Sequence, residues 1–236
     1  SFYHFRITQI EKNQQLKTAF NKQLAETRMA ALRAQMNPHF IFNCLNSIQH
    51  FILKNDSDAA VMYLAKFAKL VRGTLKTSVE GSISLEEEIN MLHHYLSLEQ
   101  LRFKQAFDFS VEVDPSLDPA SITLPPLIVQ PFVENAIRHG IFHKETPGTI
   151  NVNFTHHNNH MTCTIQDDGV GRARARELTR KLNLPTTSVG INSTTERLQL
   201  LNENRPTHQH ITMNIEDLEQ GTRVVLQFPI LPKIEE

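Results

Sequence analysis

A long apolar run, an excess of charge of either sign and a set of paired cysteines are all missing from this 236-residue sequence. A transmembrane helix needs roughly 20 consecutive apolar residues, and because no such run occurs, the sequence predicts no membrane span. The formal net charge of -1 gives no bulk electrostatic reason for binding nucleic acid or acidic lipid. The two cysteines, Cys44 and Cys163, lie far apart and lack metal-ligand spacing, which suits a reducing compartment and argues against a disulfide framework.

The first 38 residues are locally basic and open directly in a helical pattern, without an initiator Met. Basic stretches follow membrane spans on their cytoplasmic side, but a solvated helix face gives the same pattern, and charge alone favours the solvated face. We expect the chain to be a piece of a longer protein, in which a membrane anchor would precede residue 1.

The first third of the chain has helical periodicity with an apolar seam. Apolar or small residues recur at alternating steps of four and three, with Pro38 in one slot of the series: Phe20, Leu24, Thr27, Ala31, Ala34, Ile41, Leu45, Ile48 and Ile52. This spacing is typical of a coiled coil. After Pro38 the helix gains a second apolar face, formed by Phe40, Cys44 and Phe51, and it therefore needs more than one neighbour.

A second helix is predicted after a short polar break, with Asp56 or Ser57 as its N-cap. Its apolar line is Val61, Leu64, Phe67, Val71 and Leu75. Two such helices from one chain, paired with those of a second copy, make a four-helix bundle, so the sequence predicts a homodimer.

The pattern changes after this pair of helices. Ser84 and Glu87 form a capping box, which predicts a third helix that runs to about Phe103. Five later segments alternate apolar and polar residues as strands do: 109–113, 150–154, 161–165, 211–215 and 224–228. Helical stretches are predicted near 127–140, 171–182 and 191–204. This order predicts an α+β fold with one sheet covered by helices on one face, and a domain boundary near residue 80.

The sequence DDGVG at residues 167–171 follows a predicted strand and is the first candidate site. Because alternate strand residues share a face, Cys163, Ile165 and Asp167 point to the same, core-facing side. A buried carboxylate needs a donor, such as a ligand amino group, and the glycines permit a tight turn and close approach of a ligand. A short glycine motif is weak alone, and by itself an ordinary strand-to-helix turn with an aspartate cap is the more frequent explanation.

Glu134 and Asn135 form a second candidate site, in a predicted helix whose flanks are strongly apolar. His139, four residues after Asn135, shares its face. Asparagine supplies a neutral oxygen ligand for Mg²⁺, and glutamate acts as a base or orients a water molecule. A polar outer helix face contains the same residue types, but the apolar flanks favour a functional cluster.

His39 is the third candidate, since a neutral imidazole near pH 7 is a competent nucleophile. Pro38 either kinks a continuous helix or takes the first position of a helix capped by Asn37, and both fit equally well. Because the chain has 12 histidines, His39 alone is equally well explained as an exposed helix residue.

Taken together, the three sites resemble those of the LytS-like sensor histidine kinases, in the family's order, over about residues 29–230. The resemblance to the family's histidine box lies in LRAQMNPHFIFN, and that to its asparagine box in LPPLIVQPFVENAIRHG. Four further segments resemble the first glycine box of the GHKL ATPase fold, its second glycine region, its terminal glycine–threonine element and the family's linker helix: 167–171, 190–198, 221–222 and 95–103.

The resemblance implies an architecture and a reaction. Residues 1–80 would form a coiled coil and a dimeric helical-bundle domain that carries the phosphoacceptor, and residues 81–236 a linker helix and a GHKL α/β sandwich ATP-binding domain. The reaction would be autophosphorylation of His39 by ATP with Mg²⁺, followed by phosphotransfer to an aspartate of a response regulator, in this family often of the LytTR type. The chain would be the cytoplasmic portion of an inner-membrane sensor without direct contact to nucleic acid.

The resemblance also implies roles for single residues. His39 would accept the phosphate, Asn135 would hold Mg²⁺ against the ATP phosphates, and Glu134 would act as a base or by positioning. Asp167 would bind the adenine amino group with Thr222 beside it. The other implied nucleotide-binding residues are His139, Gly169, Gly171 and Gly190, of which the glycines would shape the pocket and its lid.

Two positions depart from the family's pattern. Ser188 stands where a glycine is usual and Ser193 where an asparagine is usual, which thins the second glycine region. The alternative function is therefore a nucleotide-binding signalling scaffold, or pseudokinase, with weak or no kinase activity. A third class, another GHKL ATPase such as a chaperone or topoisomerase, is opposed by the coiled coil, the histidine box and the small size.

Overall fold

The structure, a computed structural model, describes residues 38–77, 81–103, 106–181, 189–203 and 205–230. Helix α1 (Pro38–Leu53) and helix α2 (Ser57–Thr77) pack on each other. Asp56 caps α2, because its Oδ1 accepts a hydrogen bond from the Ala59 amide at 3.1 Å, which decides between the two predicted caps. The predicted coiled coil before Pro38 and the choice between a kink and an N-cap at Asn37 lie outside the described residues.

The two predicted apolar faces of α1 have different surroundings. Cys44 is fully buried, and the ring centroid of Phe40 lies 5.1 Å from that of Tyr95 on the third helix. On the seam, by contrast, Leu45 and Ile52 are 49% and 59% exposed. One face of α1 is thus buried within the chain, whereas on the seam Ile41 and Ile48 pack partly against the core and Leu45 and Ile52 remain exposed.

Helix α3 (Leu85–Arg102) follows the short strand β1 (Ile83–Ser84) and begins at the predicted capping box, which is confirmed. The Glu87 amide donates to Ser84 Oγ at 3.1 Å, and the Ser84 amide donates to Glu87 Oε2 at 3.2 Å. Helix α3 packs against both α1 and α2, and Lys76 at the end of α2 pairs with Glu87. The predicted domain boundary near residue 80 lies outside the described residues.

A five-stranded mixed sheet has a strand at each of the five predicted segments, which are thereby confirmed, although the fourth of them begins at Thr212 and not at Ile211. Its strands are β2 (Phe107–Val113), β4 (Gly148–His157), β5 (His160–Asp167), β6 (Thr212–Asp217) and β7 (Thr222–Pro229). They lie in the order β2-β4-β5-β7-β6, with β2 parallel to β4 and the other pairs antiparallel. The sequence did not predict the separate antiparallel pair of β1 with β3 (Thr123–Leu124).

One face of the sheet forms the core, as predicted. Alternate residues of the two central strands are buried on this face: Ile150, Val152, Phe154, Met161, Cys163 and Ile165. They pack with apolar residues of α3 in one continuous cluster. The opposite face carries polar contacts, including the hydrogen bond from Ser110 Oγ to Asn151 Oδ1 at 2.8 Å.

The remaining helical segments connect the strands. They are α4 (Gln130–Asn135), a π-helix (Ala136–Gly140), a 3-10 helix (Ile141–His143), α5 (Arg172–Lys181), α6 (Val189–Glu203) and a 3-10 helix (Thr207–Gln209). None of the helices in the described ranges has the length and apolar character to cross a membrane.

Candidate functional site

Asp167 ends strand β5 as a buried carboxyl group. Its 5% exposure confirms the predicted inward orientation that it shares with Cys163 and Ile165. Its Oδ1 accepts a hydrogen bond from the Gly169 amide at 2.9 Å. Burial raises the pKa of Asp167 to about 6, against the opposing effect of the Gly169 and Thr222 backbone amides. The site therefore presents a poorly solvated acceptor that changes its protonation in the weakly acidic range.

Glycines pack closely around Asp167. A Cβ on Gly140 would lie 2.6 Å from Asp167 Oδ1, and a Cβ on Gly169 would overlap the backbone of Gly140. Gly221 has φ +88°, and a Cβ there would overlap the Asp167 carbonyl group. The Val170 amide also donates to the Gly140 carbonyl at 3.3 Å. The end of the 124–140 segment, the 167–171 turn and the start of β7 thus meet at one point, which only residues without a side chain permit.

The helix that carries Asn135 is irregular. Helix α4 begins at Gln130, three residues later than predicted, and after Asn135 the chain continues as the π-helix and then as the 3-10 helix. π-Helices are rare in proteins, and those that occur often lie at functional sites. Here it ends at Gly140, at the contact with Asp167, so that the irregular turn joins the second candidate site to the first.

Asn135 and its neighbours lie half-buried on this segment. The Asn135 Nδ2 atom is buried and has no hydrogen-bond partner within the described ranges. Glu134 pairs with Arg138, its Oε1 3.3 Å from Arg138 Nη1. Burial lowers the pKa of His139, and the nearby Arg138 acts in the same direction, so the imidazole is neutral at pH 7. A buried amide without a partner has a cost that an external ligand would remove.

Most of the predicted site residues gather at one end of the sheet. Thr222 pairs with Asp167 across β5 and β7, and Gly171, with φ +78°, leads into α5, which contacts the π-helix. Gly190 lies in the first turn of α6, which contacts α4. His39 lies apart, on α1. Ser188 lies outside the described residues.

Comparison with known proteins shows which family this arrangement comes from. A family model described as histidine kinase matches residues 27–107. The chain is 35% identical over 150 residues to Sensor protein LytS of Oceanobacillus iheyensis, which covers 64% of this chain and 25% of that protein. It is 30% identical over 211 residues to Sensor protein LytS of Enterococcus faecalis, with 89% and 35% covered. The chain belongs to the LytS-like sensor histidine kinases.

The similarity covers only part of each relative. This LytS-like chain spans about a quarter to a third of the length of the two LytS relatives. It is also 27% identical over 222 residues to the Escherichia coli Sensor histidine kinase YpdA. That match covers 94% of this chain and 37% of YpdA. The histidine kinase domain of the Erythrobacter litoralis EL346 blue-light activated histidine kinase gives a TM-score of 0.48 at 15% identity, covering 90% of this chain and 96% of that chain.

A buried glutamate that the sequence motifs did not single out shapes the approach to α4 in this LytS-like chain. Glu88 on α3 is fully buried, and its two oxygens accept the Leu127 amide at 2.9 Å and the Val129 amide at 3.1 Å. Leu127 has φ +54°, a left-handed conformation that costs roughly 1–2 kcal/mol for a residue with a Cβ. The sequence signal for Glu88 was its place between Leu85 and Leu92 on one helix face.

Replacing Glu88 with alanine is expected to lower the free energy of unfolding by about 3 kcal/mol, because two buried amides lose their acceptor. Urea unfolding at neutral pH measures the change. The matched control is Glu86→Ala on the exposed side of the same helix, which should shift stability by no more than about 0.5 kcal/mol. Equal effects of the two substitutions would contradict the role assigned to Glu88.

Proposed function

We propose that this chain is the kinase core of a LytS-like sensor: it binds ATP with Mg²⁺ beside Asp167, phosphorylates His39 and passes the phosphate to an aspartate of a response regulator. The observation that carries the proposal is the buried Asp167 carboxyl group, against which Gly140 and Gly169 pack, together with the Asn135 amide, whose nitrogen has no hydrogen-bond partner among the described residues. A dry carboxylate and a polar group without a partner are costly unless a ligand uses them.

Asp167 recognises the adenine end of the nucleotide. Its carboxylate accepts a hydrogen bond from the exocyclic amino group, and Gly140 and Gly169 pack against this carboxylate so closely that neither position admits a Cβ. Gly171, Gly190 and Thr222 complete the nucleotide site, and the neutral His139 joins it from the π-helix without adding charge. A hydrogen bond from the adenine amino group to this carboxylate is charge-assisted, which makes it one of the stronger contacts that a neutral base can form.

The residues present fit an Mg²⁺ ion that arrives with ATP. Mg²⁺ prefers oxygen ligands, keeps several waters and is bound through few protein groups together with substrate phosphates. The side-chain oxygen of the half-buried Asn135 would hold it. When bound, the ion neutralises charge on the transferring phosphoryl group.

His39 is the acceptor, and Glu134 orients it or takes its proton. Phosphoryl transfer depends mainly on positioning and charge neutralisation, so a histidine delivered in line with the γ-phosphate suffices. Glu134 lies directly before Asn135 and pairs with Arg138, an interaction that would hold its carboxylate near the phosphates bound at Asn135. Incubation with γ-labelled ATP tests the function, since only a kinase retains the label on the chain.

The chain acts as a homodimer through α1 and α2. Leu45 and Ile52 on α1 are largely exposed, as are Val61 and Leu64 on α2, at 68% and 50%. These residues belong to the two predicted apolar lines, and an apolar stripe of this length on one copy is buried when a second copy forms a four-helix bundle with it.

The larger protein around this core is a membrane-anchored sensor. In this proposal the anchor precedes the chain at the inner membrane, the core lies on the cytoplasmic side, and the response regulator is of the LytTR type. Family membership supports the regulator as partner. The scaffold alternative depends on the thinned second glycine region around Ser188, and nothing in the described ranges favours it.

Nucleotide affinity is expected to fall as the pH drops through about 6. The pKa of Asp167 is raised to about 6, so above this pH its carboxylate accepts a charge-assisted hydrogen bond from the adenine amino group, and protonation below this pH weakens that bond. Asp167→Asn places a donor against the amino group and should weaken binding roughly 10- to 100-fold at pH 8, in line with a charged hydrogen bond.

Calorimetric titration with ADP from pH 5 to pH 8 measures both effects. The Asp167→Asn variant also serves as the control, because it reports the titration of the nucleotide's own phosphates. The ratio of the two affinities should therefore rise with pH. A ratio that stays constant across this range would contradict the role of Asp167.

A further inference from the structure

A cluster of four charged residues joins helix α3 to the segment that carries Asn135. Arg102 Nη2 lies 2.5 Å from Glu99 Oε2 on α3, and Glu134 pairs with Arg138 across the end of α4. The two pairs are coupled, because the charge of Glu134 acts on Glu99 and both arginines oppose that effect. We refer to these four residues as the α3–α4 charge cluster.

Glu99 is almost fully buried, but its ion pair with Arg102 uses only one of its two carboxylate oxygens. Its side chain is 2% exposed, and neither its Oε1 nor the Nε of Arg102 has a hydrogen-bond partner in the part of the chain that the structure describes. Burial raises the pKa of Glu99 to about 7, with Arg102 acting against it and Glu134 in the same direction. An incompletely satisfied buried ion pair is weak evidence for stability, so another role has to account for it.

Glu99 lies on α3 between the two helices α1 and α2, the first of which carries His39, and the segment that carries Asn135. Tyr95, one turn earlier on α3, packs its ring against Phe40, which directly follows His39. Cys44 on α1 and Tyr63 on α2 both experience the charge of Glu99. The charge of Glu99 thus acts on groups of α1 and α2, and charged groups of α3, α4 and the π-helix act on Glu99.

We propose that Glu99 is a positioning residue for phosphotransfer, and that its carboxylate holds Arg102 away from Glu134. The inference rests on the proposed function, since it assigns Glu134 to the reaction. Arg102 is a half-buried cation, its side chain 17% exposed, that lies over the Phe103 ring and pairs with the Glu99 carboxylate. Loss of a buried cation's carboxylate partner is costly, which favours pairing with another carboxylate. When Glu99 is neutral, Glu134 is the one charged carboxylate left in the α3–α4 charge cluster. Arg102 then pairs with Glu134 and draws the Glu134 carboxylate away from the phosphates.

The proposal predicts a rate that depends on the protonation of Glu99. Glu99→Gln keeps the shape of the side chain and imitates the neutral form at every pH. Its turnover number for autophosphorylation should be roughly 10- to 100-fold below that of the unaltered chain at pH 8, the size expected for a displaced reacting group. The KM for ATP should stay within about twofold, because uniform binding is not altered.

The pH profile separates this role from a structural one. Rates are measured from pH 6 to pH 8 for the unaltered chain, Glu99→Gln, the double variant Glu99→Gln/Arg102→Gln and the exposed-site control Glu86→Gln. Titrations of His39 and Asp167 are common to all four and cancel in rate ratios. The ratio of the unaltered chain to Glu99→Gln should rise roughly five- to tenfold from pH 6 to pH 8, because it follows the ionised fraction of a carboxyl group with a pKa of about 7. Removing Arg102 as well should restore part of the rate, and the control should match the unaltered chain.

Each other outcome counts against the proposal. A ratio that is constant with pH, or a double variant no faster than Glu99→Gln, overturns the positioning role while leaving the kinase function in place. The thermal unfolding temperature at pH 6 should be the same for the unaltered chain and Glu99→Gln, because Glu99 is mostly neutral at this pH. A Glu99→Gln variant that fails to fold therefore also overturns the positioning role. An unaltered chain that takes up no label from ATP overturns the proposed function, and the inference with it.

Discussion

Replacing Asn135 with alanine is expected to reduce autophosphorylation roughly 10²- to 10³-fold, the loss typical of removing one group that stabilises charge in a transition state. The substitution removes the oxygen that would hold Mg²⁺ against the phosphates. It also removes a buried amide nitrogen without a partner in the described ranges, so folding stability should be unchanged or slightly higher. A loss of activity without a loss of stability is the signature of a functional residue.

Initial rates of label uptake from γ-labelled ATP, with thermal unfolding recorded beside them, test this expectation. Asn153→Ala is the matched control, since Asn153 is also half-buried but lies on the uncovered face of the sheet. The control should keep its full rate. If Asn135→Ala retained its rate, or lost it only together with its fold, the assigned role would be wrong.

Gly221→Ala is expected to disrupt both the fold around Asp167 and nucleotide binding. At φ +88° an alanine is strained by roughly 1–3 kcal/mol, and its Cβ would overlap the Asp167 carbonyl group, so the start of β7 has to shift. We expect the free energy of unfolding to fall by more than this backbone cost alone. The shift displaces the Thr222 amide from Asp167, and ADP affinity should fall well over tenfold, on the order of a lost charged hydrogen bond.

Gly81→Ala provides the control for the loss of a glycine. An added Cβ at Gly81 has no atom within 4 Å and no positive φ to strain it, so stability should stay the same or rise by about 0.4–1 kcal/mol. Urea unfolding and ADP titration of the two variants measure the difference. A Gly221→Ala protein as stable and as tight in binding as Gly81→Ala would contradict the close packing around Asp167.

The sheet and the helix starts could be predicted from sequence because local chemistry determines them. The alternation in strands β4 and β5 reports directly which face is buried, and it is sufficient to predict the inward orientation of Asp167. The capping box at Ser84 likewise needs only residues three apart along the chain. Such signals are readable since the interacting groups are neighbours in sequence.

The remaining features depend on contacts between distant segments. Glu88 acts on amides 39 and 41 residues further along, so nothing near it in sequence indicates its partners. The π-turn before Gly140 and the left-handed Leu127 are conformations that intrinsic propensity disfavours and that tertiary packing maintains. The importance of Glu99 also follows only from the helices that enclose it.

The candidate site also has a part that the sequence could predict and a part that it could not. The motifs named Asn135, Asp167, Gly169 and Thr222, and the structure brings their segments together at one end of the sheet. The motif that names His39 places it on α1, and spacing along one chain does not encode how this helix would approach the other candidate site residues.

The most direct test of the account is the chemistry of the label that the chain takes from γ-labelled ATP with Mg²⁺. The unaltered chain, His39→Gln and His50→Gln are compared, the last being an exposed histidine on the same helix. We predict a label that is lost in acid and retained in alkali, as expected of a phosphorus–nitrogen bond, present in the unaltered chain and in His50→Gln and absent from His39→Gln. A label that persists in His39→Gln, or that survives acid, would contradict the assignment of His39 as the phosphoacceptor.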